Sequence, residues 1–243
     1  MIVHSLLDGL RKIKYHPIAY MIGNPPQQEG KRDMASNTEQ ILPQLPILTQ
    51  SLMDAPIIQR GDYYYFIHPI TDGVPELAPE LLTEIADLVI RLIDARTDKI
   101  DKIVTIESMG IPIGTALSMK TGIPLVIIRK RKYELPGEIA VHQCTGYSKG
   151  ELYLNGINKG DRVLIVDDVI STGGTMKAVI QALKLAFAVI YDTVAIIERG
   201  EGASDLRAAG NSLKTLVAVD VDSKGVEIQR TIAVNDEGYG SRL

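Results

Sequence analysis

The chain has 243 residues, of which 45% are hydrophobic, and a formal net charge of −4. This is enough material for one large α/β domain with a smaller addition. The charge excludes a sequence-wide attraction to nucleic acid or to anionic membranes. The single cysteine, Cys144, excludes an intrachain disulfide, and no apolar run reaches the roughly 18 residues of a membrane span. We therefore expect a cytoplasmic protein with neither a nucleic-acid nor a membrane partner.

Residues 1–40 are expected to be a peripheral or disordered extension. The segment 23–33 is polar and rich in turn residues, with no hydrophobic period. A short apolar pattern over residues 6–13 could form one amphipathic helix. Met34 could also be a natural start, and residues 1–33 would then be an artefact of start assignment; the sequence leaves both interpretations open.

From residue 41 to residue 243 a regular alternation of apolar patterns predicts one domain. Apolar residues recur at helical spacing from Leu81 to Ile93, as in a helix that packs on a sheet. Short apolar runs then alternate with helical segments, which predicts βαβ units and a mostly parallel sheet. The predicted strands are 102–107, 124–128, 151–154, 163–166, 188–197, 214–221 and 225–234, and the predicted helices are 81–93, 113–120 and 175–187.

The most informative segment is 163–175, where an apolar strand is followed by two carboxylates and a loop of small residues. Ligands of open parallel sheets bind at the carboxyl ends of strands. Hydroxyls, glycines and free N–H groups in the loop suit an anion, and they belong to Ser171, Thr172, Gly173, Gly174 and Thr175. Asp167 and Asp168 would repel a phosphate, so we expect them to face sugar hydroxyls or a hydrated divalent cation. The pattern predicts a phosphorylated ribose; an ordinary strand-to-helix turn is the alternative.

Two further segments are predicted to follow strands at the same edge of the sheet. The first contains Ser108, Met109 and Gly110, whose exposed N–H groups could hold a pyrophosphate. The second begins with Arg129 and Lys130 in a run of four cations. Such runs are usually solvated surface, but positive charge here would stabilise a departing pyrophosphate.

Two other segments are candidates for covering the site. Residues 133–149 show no clear element, and we expect a lid there, with Glu138, His142 and Tyr147 as its polar candidates. Residues 61–73 combine an aromatic cluster with turn residues. Within this segment we expect Tyr65, Phe66 and Ile67 to cover a flat apolar slot for a purine ring; ordinary packing of a half-buried strand is the alternative.

The segment 163–175 resembles the signature by which phosphoribosyltransferases bind 5-phosphoribosyl 1-pyrophosphate (PRPP). A P-loop is excluded because the chain has no G-x-x-x-x-G-K-[ST]. The resemblance is strongest over residues 103–178. With Lys-Tyr-Glu-Leu-Pro-Gly at 132–137, it is most similar to the archaeal hypoxanthine/guanine group of purine phosphoribosyltransferases, whose architecture is nearer to adenine enzymes.

This resemblance implies a type I phosphoribosyltransferase fold, with a mostly parallel sheet flanked by helices, a small hood at about residues 55–75 and a mobile catalytic loop. It implies transfer of phosphoribosyl from PRPP to hypoxanthine or guanine, which yields IMP or GMP and pyrophosphate. Mg²⁺ would be held mainly by the substrate, near Asp167 and Asp168. The resemblance also implies a homodimer.

Two residues depart from the family pattern. Met109 stands where adenine enzymes usually carry an arginine, so only its backbone is expected to contact pyrophosphate. Ser171 stands where common hypoxanthine/guanine enzymes carry an aspartate near the purine. Glu138 is then the candidate for handling the purine proton, unless the leaving pyrophosphate drives the reaction with little base catalysis. The alternatives are an adenine enzyme that forms AMP, an orotate or uracil enzyme, and a non-catalytic regulator that senses PRPP.

Overall fold

A six-stranded sheet forms the centre of the computed structural model, which describes residues 45–93, 96–144 and 149–232. The strands are β1 (Ile57–Arg60), β2 (Tyr63–Phe66), β3 (Lys102–Ile106), β4 (Leu125–Ile128), β5 (Ile139–Cys144), β6 (Lys149–Leu154), β7 (Arg162–Ile170), β8 (Val189–Glu198), β9 (Lys214–Asp222) and β10 (Gly225–Thr231). The helices are α1 (Pro46–Met53), α2 (Pro69–Asp72), α3 (Pro79–Leu92), α4 (Gly110–Thr121), α5 (Gly174–Leu185) and α6 (Gly202–Ala208), with a 3-10 turn at Thr97–Lys99. The extension predicted over residues 1–40 lies outside the described residues.

The strand order in the central sheet is β10-β9-β8-β7-β3-β4, and all neighbours are parallel except β9 and β10. This confirms the predicted mostly parallel α/β sheet. Both faces of β7 are buried, because Leu164 and Val166 belong to one core cluster while Val163 and Ile165 belong to the other. Burial on both faces explains why this strand is almost continuously apolar in sequence.

The helices that flank the sheet follow the predicted hydrophobic pattern. Helix α3 begins with Pro79, carries Glu80 in its first turn and Arg91 in its last, and buries one apolar face. Helix α4 starts three residues earlier than predicted, at Gly110, and ends at Thr121; the next residue, Gly122, adopts the left-handed conformation. The sequence did not predict the short helices α1, α2 and α6. Among the described helices, none is long and apolar enough to cross a membrane.

The prediction that residues 133–149 lack regular structure was wrong for much of the segment. Strand β5 pairs in antiparallel register with β6, and α5 packs against this hairpin. The stem of the hairpin is held by the buried side chains Val141, Leu152 and Leu154, which join the same core cluster as α5. The apolar alternation on β5 covers only Ile139 and Val141, which is too short to be distinguished from a loop by periodicity. Tyr147 and the side chain of His142 lie outside the described part of the chain.

The hood, residues 55–75, consists of the hairpin β1–β2 and the one-turn helix α2. His68, at the start of α2, is fully buried, and its Nδ1 accepts a hydrogen bond from the Ile70 amide at 3.2 Å. Its Nε2 lies 2.9 Å from Ser51 Oγ, which itself donates to the Leu48 carbonyl. These bonds require a neutral ring with the proton on Nε2. Burial lowers the pKa of His68 from 6.5 to about 4.

The pKa of His68 predicts a loss of stability in acid. The unfolded chain binds a proton near pH 6.5 and the folded chain only near pH 4, so the folded state is disfavoured as the pH falls between these values. Between pH 7.5 and 5 this group removes about 2 kcal/mol of unfolding free energy. Urea unfolding at both pH values, compared with His68→Gln, measures the difference. If wild type and His68→Gln lost equal amounts of unfolding free energy between the two pH values, His68 would not be the group responsible.

Candidate active site

Asp167 and Asp168 lie within β7, which continues through them to Ile170. The sequence had predicted that the strand ends before these residues. Instead, the register with β8 continues, with Asp167 opposite Ala195 and Ile170 opposite Glu198. The predicted anion-binding loop therefore starts at Ser171, and the two carboxylates belong to the central strand itself.

The environment of this pair opposes ionisation. Asp167 is 8% exposed, and its pKa is raised well above the usual range, first by burial and then by the charge of Asp168. Burial also raises the pKa of Asp168 to about 6, with a further contribution from the charge of Asp72 in the hood. A side-chain hydrogen bond between the two carboxyl groups raises the pKa of Asp167 and lowers that of Asp168. The pair is thus costly to ionise fully in the free protein.

Gly110, in the loop predicted to hold pyrophosphate, lies directly against this pair. A Cβ atom at position 110 would be 2.1 Å from Thr105 Oγ1 and 2.8 Å from Asp167 Oδ1. Thr105 is held in place because its hydroxyl donates to the Val166 carbonyl at 2.8 Å. The absence of a side chain at Gly110 therefore lets the start of α4 approach the carboxylates. The adjacent Glu107–Ser108 peptide is cis.

The predicted cation Arg129 forms an ion pair with Glu107. Its Nε donates to Glu107 Oε2 at 2.8 Å, and the Lys130 amide donates to the same oxygen at 3.0 Å. These two bonds, that of the amide first, lower the pKa of Glu107. The Arg129 backbone also exchanges two hydrogen bonds with Tyr153, which fastens hairpin β5–β6 to the sheet edge. The Arg129 side chain and the Lys130 backbone are thus held by Glu107, the residue that precedes the loop of Ser108, Met109 and Gly110.

The predicted phosphate loop closes around the amino end of α5. Gly173 has φ +73°, and α5 starts at the next residue. The loop and the end of β7 line a cleft of about 170 Å³ that includes Asp167, Ser171, Thr172, Gly174 and Thr175. The cleft therefore combines a buried carboxylate with exposed hydroxyls and a helix amino terminus, a suitable arrangement for a sugar phosphate.

Gly202 supports this loop from the far side. Its amide donates to the Ser171 carbonyl at 2.9 Å. A Cβ atom at position 202 would lie 2.2 Å from the Ser171 carbonyl oxygen and 2.4 Å from the Gly173 nitrogen. Since these neighbours are backbone atoms, they cannot rotate away, and only glycine fits here without moving the loop.

The three predicted hood residues have different surroundings. Phe66 is 8% exposed and packs in the core, as the alternative of ordinary strand packing expected. Tyr65 is partly exposed, and its ring lies against the Arg199 guanidinium. Ile67 donates its amide to the Pro56 carbonyl at 2.9 Å.

Met109 also contacts the hood. Its Cε and Sδ lie 3.4 and 3.5 Å from the position that a Cβ atom on Gly73 would occupy. The side chain that replaces the expected arginine therefore packs against the hood. Its backbone remains part of the loop at the start of α4.

Glu138 lies in a turn just before β5, and its carboxylate accepts three hydrogen bonds. The donors are the amides of Tyr133 and Glu134 and Asn155 Nδ2, at 3.0, 3.1 and 2.8 Å. These bonds, that of Asn155 first, lower the pKa of Glu138. A carboxylate stabilised in this way is a weak base.

Sequence reasoning missed several residues that shape the site, namely Asp72, Thr105, Glu107, Arg199 and Gly202. The role of Gly202 could have been predicted, because small residues that follow a buried strand at the carboxyl edge of a sheet are candidates for loop contacts. Asp72 and Arg199 act through contacts between distant parts of the chain, which a single sequence does not encode locally.

Comparison with known proteins agrees with this geometry. A family model described as a phosphoribosyl transferase domain matches residues 76–230. The hypoxanthine/guanine phosphoribosyltransferase of Methanocella paludicola is 62% identical over 181 residues, which cover 74% of this chain and 93% of that protein. The protein of the same name from Methanothrix thermoacetophila is 64% identical over 182 residues, covering 75% and 94%.

Solved structures give the same family. An adenine phosphoribosyltransferase from Rhodothermus marinus has a TM-score of 0.58 at 26% identity, covering 72% of this chain and 98% of its own. The adenine phosphoribosyltransferase of Leishmania donovani, at 22% identity and a TM-score of 0.58 over 71% and 80% of the two chains, shares the fold. Together with the buried carboxylates, the glycine-lined loops and the extent of the match, these similarities show that the chain belongs to the phosphoribosyltransferase family.

Proposed function

We propose that this protein transfers the 5-phosphoribosyl group of PRPP to hypoxanthine or guanine and releases pyrophosphate. The observation that carries the proposal is the meeting of two glycine-bearing loops around one buried carboxylate. Gly110 approaches Asp167 from the start of α4, and the Ser171–Thr175 loop lines the same cleft. One anion-binding loop at each side of a carboxylate suits a sugar with phosphate groups at both ends.

Asp167 and Asp168 would hold the ribose hydroxyls and stabilise the positive charge that develops on the sugar. Their raised pKa values show that ionisation is costly without a positive partner, and such a partner develops at the ribose during the reaction. The remote 5-phosphate would be anchored by Ser171 to Thr175, so its binding energy can position the reacting carbon.

The same carboxylates suit a hydrated Mg²⁺. Within the described residues no group of three or more His, Cys, Asp or Glu side chains could hold a metal alone, so substrate oxygens would supply most of the ligands, near Asp167 and Asp168. Mg²⁺ would neutralise the pyrophosphate as it leaves. Arg129 and Lys130 would add positive charge at that end of the substrate.

The purine proton has no obvious acceptor among the predicted residues. Ser171 is not a base at neutral pH, and Glu138 is stabilised as a carboxylate by three donors. This arrangement favours a reaction driven by departure of pyrophosphate, with little general base catalysis. Homodimerisation remains a prediction from the family resemblance, and a cytoplasmic location remains a prediction from the composition.

Adenine is the second candidate base, because the solved structures named above are adenine enzymes. The two candidate functions are distinguished by measuring nucleotide formation from PRPP and Mg²⁺ with hypoxanthine, guanine, adenine or xanthine. Conversion of hypoxanthine and guanine supports the proposal, and conversion of adenine alone assigns the protein to the adenine class. PRPP binding without product from any base would instead identify a non-catalytic regulator.

Asp168→Asn is expected to separate function from stability. Loss of the charge should lower nucleotide formation at least about a hundredfold, in line with the loss of one electrostatic transition-state contact. The cost of ionising Asp168 in the folded protein grows as the pH rises from 3.8 to about 6 and is then constant, so the variant should be more stable than wild type at pH 8, by about 1–3 kcal/mol. That advantage should shrink to about 1 kcal/mol or less at pH 4.5 and disappear below pH 3.8. Urea unfolding and product assays measure both effects; a variant that is less stable at pH 8 would refute the electrostatic argument.

Gly202→Ala is expected to displace the 5-phosphate loop. The added Cβ would meet two backbone atoms at 2.2 and 2.4 Å, so we expect the KM for PRPP to rise about tenfold or more. Gly150→Ala is the matched control, because no atom lies within 4 Å of a Cβ at that position. An unchanged KM for PRPP in Gly202→Ala, with the variant folded, would show that the loop does not bind the phosphate.

A further inference from the structure

Arg199 connects two parts of the site that are far apart in sequence. It follows β8 directly, and its amide donates to the Ile170 carbonyl at 2.9 Å. Ile170 is the last residue of β7, and the phosphate loop starts at the next position. The backbone of Arg199 is therefore fixed to the base of that loop.

The side chain of Arg199 reaches the hood. Its Nη2 donates to the Tyr64 carbonyl at 2.5 Å, and its Cζ lies 5.6 Å from the centre of the Tyr65 ring. One guanidinium thus binds the backbone of β2 and packs against an aromatic side chain of the same strand. A planar guanidinium can do both at once, whereas a lysine ammonium is a point charge on a flexible stem.

The hood depends on such contacts because β1 and β2 have four residues each. A two-stranded hairpin is marginal in water unless it packs against other elements. Phe66 buries one end of β2 in the core, but Tyr64 and Tyr65 are only partly buried. Arg199 contacts the hairpin at these two residues.

We propose that Arg199 is a positioning residue that fixes the hood relative to the 5-phosphate loop, and so places the purine against the ribose. The inference rests on the proposed function. The phosphate loop and the carboxylate pair hold the sugar, while the hood covers the base. Since the reacting atoms must come within about 3–3.5 Å, a loosened hood should impair use of the base and spare the binding of PRPP.

The experiment compares Arg199→Ala, Arg199→Lys and the control Arg60→Ala, which removes an exposed arginine from the same hairpin. In Arg199→Ala we expect the KM for the purine to rise about tenfold, equivalent to about 1.4 kcal/mol, with the KM for PRPP within about twofold of wild type. The KM for the purine in Arg199→Lys should fall between the values of wild type and Arg199→Ala, and both KM values in Arg60→Ala should match wild type. Equal rises in both KM values, or no rise in either, would overturn the proposal.

Hydrogen exchange supplies a readout that does not need activity. In Arg199→Lys, amides of the hood should exchange faster while those of β7 keep their protection. Unchanged hood exchange would contradict the proposal even if the alanine variant fails to fold. Absence of product with wild-type protein and every purine would refute the proposed function, whereas an active wild type with unaltered variants would refute only the role of Arg199.

Discussion

Two neighbouring carboxylates near the end of the central strand are the electrostatic constraint around which the rest of the site is arranged. Burial raises the pKa of both Asp167 and Asp168, and the charge of Asp168 raises that of Asp167 further. Such a pair opposes folding at neutral pH, because its ionised form loses hydration on burial. The fold tolerates the pair because the strand that carries it is fixed on both faces by the two core clusters. In the proposed reaction, this destabilising pair would become favourable once a cationic sugar or a hydrated cation is bound.

The loops around this pair depend on close backbone approach. Gly110 lies against Thr105 and Asp167, and Gly202 lies against the backbone of Ser171 and Gly173. At both positions a methyl group would occupy space already filled by another part of the site. Gly110 therefore lets the start of α4 approach Asp167, and Gly202 lets α6 approach the predicted phosphate loop, which a larger residue at either position could not do.

The sequence predicted the parts of the structure that have a local cause. The strands and helices of the sheet followed from runs of apolar residues with regular spacing, and the candidate phosphate loop from its hydroxyls and glycines beside Asp167 and Asp168. Hairpin β5–β6 was missed because its apolar alternation is short, and it is stabilised by packing on α5. The hydrogen bonds of Glu138 and the contacts of Arg199 with the hood were also not predicted. Each depends on a partner brought close only by folding, such as Asn155 for Glu138 and Tyr64 for Arg199.

The replacement of an expected arginine by Met109 changes the balance of charge at the pyrophosphate end of the site. The thioether packs on Gly73 and so joins the loop at the start of α4 to the hood. In the proposed reaction, positive charge for a leaving pyrophosphate would then come mainly from Arg129 and Lys130, and Glu107 partly offsets the charge of Arg129. Glu107 engages the arginine through Nε, and no other residue in the described part of the chain bonds the guanidinium, so both terminal amino groups could contact a phosphate. The ion pair therefore orients Arg129 without occupying the donors that bidentate recognition of a phosphate requires.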